Sequence, residues 1–396
     1  MTFLKTTKIL VFSSTRADFG IYLPLLKKLQ NHSEFELAIL ATGSHLIAEA
    51  GATVREIRSY HFNEVIEIPF KGKTDSPMAI TQVMGWGLIE YSQFLVTTPF
   101  DLAFVLGDRF ETLAFALSCY NLRIPLAHLH GGELTFGALD EGYRHSITKL
   151  SHLHFTATAL AKKRVEQLGE QPNRVFHVGA LAIDNIKELP LLNRTDLEQQ
   201  LNHKFNKINL VMTYHPETLG SDQLSPMQQI KNIFKALAVF EEKNKNQVSV
   251  FITEPNVDPG HQFILNEIRD FTKNHSWAKS YTSLGVLKYL SLVKSCHMVL
   301  GNSSSGIIEA PSLKTVTINI GDRQQGRERA TSVIDCKCTE PEILNALTTA
   351  LQKTISATFN NPYGDGQTAD QIVKILLENI TKLDSAKTGK IFNDQH

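Results

Sequence analysis

The chain has 396 residues, 42% hydrophobic and 20% charged, with 40 Lys+Arg set against 40 Asp+Glu. That length is too great for one hydrophobic core and points to two domains. The balanced charge gives no overall field for nucleic acid or an anionic membrane, so any anion site is local. No run approaches the ~18 apolar residues of a membrane span. The start, MTFLKTTKILVF, has too short an apolar core for a secretory signal, so the expected location is cytoplasmic. Cys119, Cys296, Cys336 and Cys338 are scattered and lack a second C-x-C pair, so neither a disulfide framework nor a zinc site follows.

In chain order, short β-branched runs alternate with helical periodicity. Residues 8–12 read as a buried parallel strand. The loop Ser13-Ser14-Thr15-Arg16-Ala17-Asp18-Phe19-Gly20 leads to a helix with Tyr22, Leu25, Leu26 and Leu29 on one face. A strand over 36–41 ends in Thr42-Gly43-Ser44-His45, and a helix over 78–97 exits at Pro99. The strand over 102–106 stops at Gly107-Asp108-Arg109 before another helix. The strand over 124–128 runs into His130-Gly131-Gly132-Glu133, and Asp140, Glu141, Arg144 and His145 follow. Further strands are predicted over 153–156 and 174–178.

A helical linker over 183–203 precedes a second round of the same pattern. The strand over 208–213 ends in Tyr214-His215-Pro216-Glu217, and a helix over 227–243 follows. The strand over 248–252 ends in Glu254-Pro255-Asn256-Val257-Asp258. Residues 298–300 run into Gly301-Asn302-Ser303-Ser304-Ser305-Gly306 and a helix over 307–311. The strand over 315–320 leads to Gly321-Asp322-Arg323 and then Arg327. Helices are predicted over 345–353 and 369–382. Each helix between strands implies a right-handed crossover and a parallel sheet. The fold class is therefore α/β, with two Rossmann-like doubly wound domains facing a cleft. The first spans 1–184, the second 185–368, and a helix in 369–396 returns to the first.

Ligands of doubly wound folds sit beyond the carboxyl ends of the strands. Ionisable residues crowd there in this chain. Gly301 to Gly306 between strand and helix offers unpaired N–H groups and serine hydroxyls to a phosphate, although serine-rich caps commonly do no more than cap a helix. Glu309, a turn and a half into that helix, is placed to accept from ribose hydroxyls. Arg16, Arg323 and Arg327 lie on strand-end loops, and the planar guanidinium suits phosphate oxygens. Asp18 is close enough in sequence to hold Arg16. His128 and His130 share a strand face, as do His152 and His154. A metal would need further ligands, with Glu133 or Asp140 available, and ranks below acid/base or binding roles.

The strings STRADFG, TGSHL, GDRFE, HLHGGE, RHSITKLSHLHF, HPET, GNSSSGIIE and GDRQQGRE, in this order over nearly the whole chain, resemble the hydrolysing UDP-N-acetylglucosamine 2-epimerases. These are bacterial enzymes that feed sialic acid synthesis, similar also to the epimerase domain of the human bifunctional epimerase/kinase. The resemblance implies a GT-B fold. It implies that Arg16, Asp18, Arg109, His215, Asn256, Ser303, Ser304, Glu309, Arg323 and Arg327 hold the UDP part. It places His45 and His128 near the sugar and makes Asp108 and Asp140 catalytic carboxylates. Some relatives carry glutamate where His130 stands, and one extra residue lies between Glu133 and Asp140. His130 and Glu133 therefore both stand as candidates for one catalytic base. The relatives are dimers or tetramers, and no cofactor or metal is implied.

The chemistry follows from the bond to be broken. A sugar C2–H is too weakly acidic for direct removal by a carboxylate. Ionisation of the C1–O bond to UDP first makes it far more acidic, with arginines and helix donors stabilising the leaving diphosphate. A base then takes the C2 proton, giving a 2-acetamidoglycal. Hydration at C1 and reprotonation on the opposite face yield N-acetylmannosamine and UDP. The principal rival substrate is UDP-2,4-diacetamido-2,4,6-trideoxyglucose, on the way to legionaminic acid. A GT-B glycosyltransferase would need an acceptor. The non-hydrolysing epimerases resemble H-V-E-A-G, unlike His128-Leu129-His130-Gly131-Gly132. A silent UDP-sugar sensor would not need Asp108 and Asp140.

Overall fold

The strands form because their residues run apolar without a break, as they must where both faces of a sheet are covered. In the computed structural model the described residues are 6–48, 51–70, 72, 76–136, 139–217, 224–255, 260–353, 361–379 and 390–394. They divide into two compact units. The first comprises residues 1–133, 139–185 and 363–396, and the second 134–138 and 186–362.

The first unit begins with β1 (Thr7–Ser13), α1 (Arg16–Gln30), β2 (Phe35–Thr42), α2 (Val54–Ser59), β3 (Val65–Ile68) and α3 (Pro77–Thr97). It continues with β4 (Leu102–Leu106), α4 (Phe110–Asn121), β5 (Leu126–Leu129) and α5 (Asp140–Leu150). Then come β6 (Leu153–Thr156), α6 (Ala159–Gln167) and β7 (Val175–His177). The strands are all parallel, in the order β3-β2-β1-β4-β5-β6-β7. The order reverses between β1 and β4, and that is where a doubly wound sheet opens a crevice.

Two helices link the units in sequence, α7 (Leu181–Glu188) and α8 (Arg194–Leu201), divided around Pro190. The second unit has β8 (Ile208–Thr213), α9 (Pro226–Lys243), β9 (Val248–Thr253), α10 (His261–Asn274), β10 (Ala278–Tyr281) and α11 (Gly285–Ser295). It ends with β11 (Met298–Gly301), α12 (Ser304–Ile308), β12 (Val316–Ile320), β13 (Val333–Cys336) and α13 (Glu340–Gln352). Its parallel order is β10-β9-β8-β11-β12-β13, reversing between β8 and β11.

The final helix, α14 (Thr368–Asn379), belongs to the first unit. Buried Asp184 accepts from the backbone N–H groups of Thr368 (3.1 Å) and Ala369 (2.7 Å). A carboxylate there satisfies donors that the first helical turn leaves open and complements the helix dipole. Lys28 on α1 pairs with Asp370 at 2.8 Å.

The strands that the sequence pattern does not reveal, β3, β10 and β13, are edge strands of four residues each. An edge strand is only half covered, so its apolar run is broken and its signal weak. The helix predicted over 307–311 instead starts at Ser304 and ends at Ile308, because Ser303 caps it through the N–H of Ser305. Glu309, about a turn and a half past the start of α12, is the residue that closes it.

Candidate active site

In the first unit, Thr15 and Asp18 form a reciprocal cap at the start of α1. The Thr15 hydroxyl accepts from the N–H of Asp18 at 3.3 Å. The Asp18 carboxylate accepts from the N–H groups of Ser14 (3.1 Å) and Thr15 (3.0 Å) and from the Ser14 hydroxyl (3.1 Å). Asp18 therefore shapes the loop, and Arg16 opens the helix from partly exposed ground. Next to it, His45 is fully buried, with Nε2 on the Ser13 hydroxyl (2.9 Å) and Nδ1 on the Thr53 hydroxyl (2.8 Å). Burial pushes its pKa down to about 4, against the opposing pull of the Asp18 carboxylate, so the ring is neutral at pH 7.

The densest chemistry lies where β4 and β5 end. Asp108 meets the guanidinium of Arg144 in a very short ion pair. Arg144 has no exposed surface and also donates to the Glu133 carbonyl (2.8 Å) and the Glu141 carboxylate (3.0 Å). A buried guanidinium needs such a set of acceptors to offset its lost hydration. One residue before Glu133, the chain must squeeze past α6. A Cβ on Gly132 (φ 77°) would overlap the Ala161 carbonyl, so only glycine fits. Just ahead, His130 sits in the left-handed region (φ 64°), a strained state that surrounding structure must enforce. Its Nδ1 stands 2.5 Å from the Glu133 carboxylate, and both residues are buried. The other nitrogen, Nε2, has no hydrogen-bond partner among the described residues.

His128 is built in more deeply. Its Nε2 donates to the Gly107 carbonyl (2.8 Å) and its Nδ1 faces the Thr148 hydroxyl (3.2 Å). Burial drives its pKa down to about 3, with the neighbouring His154 and His130 adding to the fall. Both ring nitrogens of His128, like those of His45, are thus committed inside the protein. The ring holds the Gly107 turn that presents Asp108. Arg109 forks onto the buried Glu111 carboxylate (3.1 and 3.2 Å), whose pKa burial raises against the lowering by Arg109. Asp140 opens α5, half-buried, one and a bit turns ahead of Arg144.

The second unit offers a different kind of strand end. Gly301 (φ 133°) lies so close to Thr213 that a Cβ would overlap its carbonyl, which locks β11 against β8. The buried Asn302 side chain then clasps the His215 backbone, accepting from its N–H (2.8 Å) and donating to its carbonyl (2.9 Å). The Asn302 carbonyl in turn accepts from Arg323 Nη1 (3.1 Å) and Gln324 Nε2 (2.8 Å). Arg323 also gives its backbone N–H to Glu217 in a short bond. His215, Ser303, Ser304, Arg323 and the loop to Arg327 therefore share one framework around Asn302. Glu309, at the end of α12, has its pKa raised to about 7 by burial, with the Ser305 hydroxyl working the other way. Asn256 falls outside the described residues.

Several residues that the sequence reading did not place in the site turn out to hold it together. Arg144 and Glu141 anchor Asp108, while Asn302, Gln324 and Glu217 anchor the second framework. The signal for Arg144 was its place one helical turn after Asp140, on the face that also bears Asp140. Nothing local marks Asn302 as a clasp, because its partner lies 87 residues away.

Two parallel α/β units with this strand order make a GT-B-type fold. Solved structures share it: the Staphylococcus aureus MnaA–UDP co-structure (TM-score 0.78, 18% identity, covering 98% of this chain and 100% of that one) is one. Another is the Neisseria meningitidis UDP-GlcNAc 2-epimerase bound to UDP-GlcNAc (0.77, 19%, 94% and 100%). The family model for UDP-N-acetylglucosamine 2-epimerase matches residues 27–377, and the chain belongs to that family. Among curated relatives, the GDP/UDP-N,N'-diacetylbacillosamine 2-epimerase (hydrolyzing) of Campylobacter jejuni is 39% identical, over 89% of this chain and 88% of its own. The polysialic acid biosynthesis protein P7 of Escherichia coli is 36% identical, over 90% of each chain. The UDP-N,N'-diacetylbacillosamine 2-epimerase (hydrolyzing) of Legionella pneumophila is 33% identical, over 93% and 95%. Among the described residues no helix is long and apolar enough to cross a membrane.

Proposed function

We propose that the chain is a hydrolysing 2-epimerase that converts a UDP-linked 2-acetamido sugar and water into the free 2-epimeric sugar and UDP. The observation that carries this reading is the linked group at adjoining strand ends, half-buried Asp108 with buried Arg144, Glu133 and His130. A binding module has no need of such a group, and a glycosyltransferase has no proton to move at carbon. The C1–O bond breaks with its electron pair leaving on UDP. Arg16, Arg323, Arg327, Ser303, Ser304 and the α12 amides stabilise that charge. His215, Arg109 and Asn256 complete the nucleotide contacts, and Glu309 takes the ribose.

A base then removes the C2 proton to leave a glycal. Water adds its oxygen to C1, and a second group returns a proton to the other face of C2. The His130–Glu133 pair is one of these groups, its ring nitrogen and carboxylate 2.5 Å apart. Asp108, with its charge compensated by Arg144, is the other, with Asp140 orienting the water. His45 and His128 act by holding the Ser13 and Gly107 turns, since their ring nitrogens are engaged.

For the sugar, relatives named for N,N'-diacetylbacillosamine stand at 39% and 33% identity, and a Neisseria meningitidis UDP-N-acetylglucosamine 2-epimerase at 30%. These names support UDP-2,4-diacetamido-2,4,6-trideoxyglucose as the substrate, ahead of the UDP-N-acetylglucosamine that the sequence resemblance put first. The polysialic acid protein at 36% supports the second reading. Release of UDP from each sugar nucleotide decides the matter. The diacetamido sugar is expected to show kcat/KM higher by on the order of tenfold or more. A preference for UDP-N-acetylglucosamine would overturn the choice of sugar, and no release from either would overturn the function.

A further inference from the structure

Away from the reacting groups, a buried cluster ties a distant piece of chain to α5. Glu170, just beyond α6, is almost wholly buried. Its carboxylate accepts from His154 Nε2 (3.0 Å), Lys149 Nζ (2.6 Å) and Lys390 Nζ (2.6 Å). Lys390 also donates to the carbonyls of Thr148 (3.3 Å) and Lys149 (2.9 Å), in the last turn of α5. Those carbonyls lie where a helix runs out of its own donors and carries its negative dipole end, so an ammonium group suits them.

The rest of residues 390–394 is seated on the same spot. Asn393 gives its N–H to the Gly169 carbonyl (2.9 Å), and Gln171 Nε2 donates to the Ile391 carbonyl (3.4 Å). The Phe392 ring lies where a Cβ on Gly169 would be, with Lys149 Nζ 5.0 Å from its centre.

We infer that Lys390 is a positioning residue for the reaction: by clamping the last turn of α5 to Glu170, it sets the helix that carries Arg144 and Asp140. The helix transmits the hold across two successive turns, the last one bearing Thr148 and Lys149 and the one before it Arg144. Lys390 grips its end, Thr148 faces His128, and Arg144 holds Asp108 and the Glu133 carbonyl. An α-helix is stiff and rises ~1.5 Å per residue, so Arg144 and Thr148 lie about 6 Å apart along it. A slip of the far end therefore moves the Asp108 partner by a comparable amount. Displacements near 1 Å at reacting groups cost on the order of a hundredfold in rate.

The inference rests on the function proposed above, and its test has a readout that does not. Wild type, Lys390→Met and Lys390→Arg are compared for kcat, KM and backbone hydrogen exchange along α5. Lys390→Met keeps the stem and loses the ammonium. It is expected to lower kcat by about tenfold or more with KM within roughly twofold. Amides of the last α5 turns are expected to exchange faster while the strands of the same unit keep their protection, and Lys390→Arg to restore both. Wild-type kcat and exchange in the Met variant would overturn the inference, as would faster exchange spread evenly over the unit. If wild type releases no UDP from either sugar nucleotide, the functional reading fails and the exchange pattern alone decides whether Lys390 holds α5.

Discussion

The two units share a strand plan and put different things at its carboxyl ends. In the first, the ends of β4 and β5 gather ionisable side chains that answer one another: Asp108 to Arg144, Glu133 to His130. In the second, the ends of β8 and β11 are fixed by an uncharged amide, Asn302, whose side chain clasps the His215 backbone and whose carbonyl takes Arg323 and Gln324. A carboxylate–imidazole pair can hand on a proton, an arginine only compensates charge, and both kinds are costly to assemble in buried ground. An amide clasp has no proton to give and holds a backbone still. The difference teaches that one topology can carry ionisable pairs at its strand ends in one copy and an uncharged backbone clasp in the other, which under the proposed function divides proton transfer from anion binding.

Substitutions can break that division of labour. The largest effect is expected for Asp108→Asn, which keeps the shape and removes the base. Turnover should fall by about 10²–10⁴-fold, while the UDP affinity measured by calorimetry stays within roughly twofold. A matching loss of UDP affinity would mean that the first unit binds as much as it reacts. Arg144→Met leaves Asp108 and Glu141 without their buried partner. Because both carboxylates are partly exposed, at 21% and 22%, the expected loss in thermal unfolding is roughly 3 kcal/mol, the low end for a broken buried pair.

In the second unit, Arg323→Ala should weaken UDP binding by about 1.5–3 kcal/mol, the worth of a charge-assisted bond, with kcat at saturation changed far less. A collapse of kcat with intact UDP affinity would reverse the roles drawn here.

The smallest effect per residue sharpens the comparison through pH. His45 and His128 titrate at about 4 and about 3 in the folded chain, against 6.5 for an ordinary histidine. The unfolded chain therefore takes up protons first as pH falls. The stability due to these neutral rings is full above about 6.5 and is lost on the way down through about 4 and then about 3. Between pH 6.5 and 5.5 the loss is about 1 kcal/mol per ring, read by denaturant titration. His128→Gln should flatten that slope, and an unchanged slope would place the titration elsewhere.

Much of this was legible in the sequence, and the reasons are physical. Central strands such as β4 and β8 announce themselves because both faces are covered, so every residue from Leu102 to Val105 is apolar and buried. Edge strands β3 and β13 do not, since half of each meets solvent. The candidate site residues were visible as polar letters where apolar runs stop. Their partners were not: Arg144 finds Asp108 across 36 residues and Asn302 finds His215 across 87. Periodicity reports which face of an element is covered. It carries no information on which distant loop a side chain will meet. His45 and His128 show the same limit, because the sequence does not reveal that the ring nitrogens of one meet the Ser13 and Thr53 hydroxyls and those of the other the Gly107 carbonyl and the Thr148 hydroxyl.

The central claim is that the first unit takes a proton from C2 and returns one from solvent. Incubation with UDP-2,4-diacetamido-2,4,6-trideoxyglucose, and separately with UDP-N-acetylglucosamine, in heavy water tests it directly. Magnetic resonance or mass analysis then reads the isotope at C2 of the released sugar. The account expects one deuterium at C2 in every product molecule with the inverted configuration. Protium retained at C2 in an inverted product would contradict it.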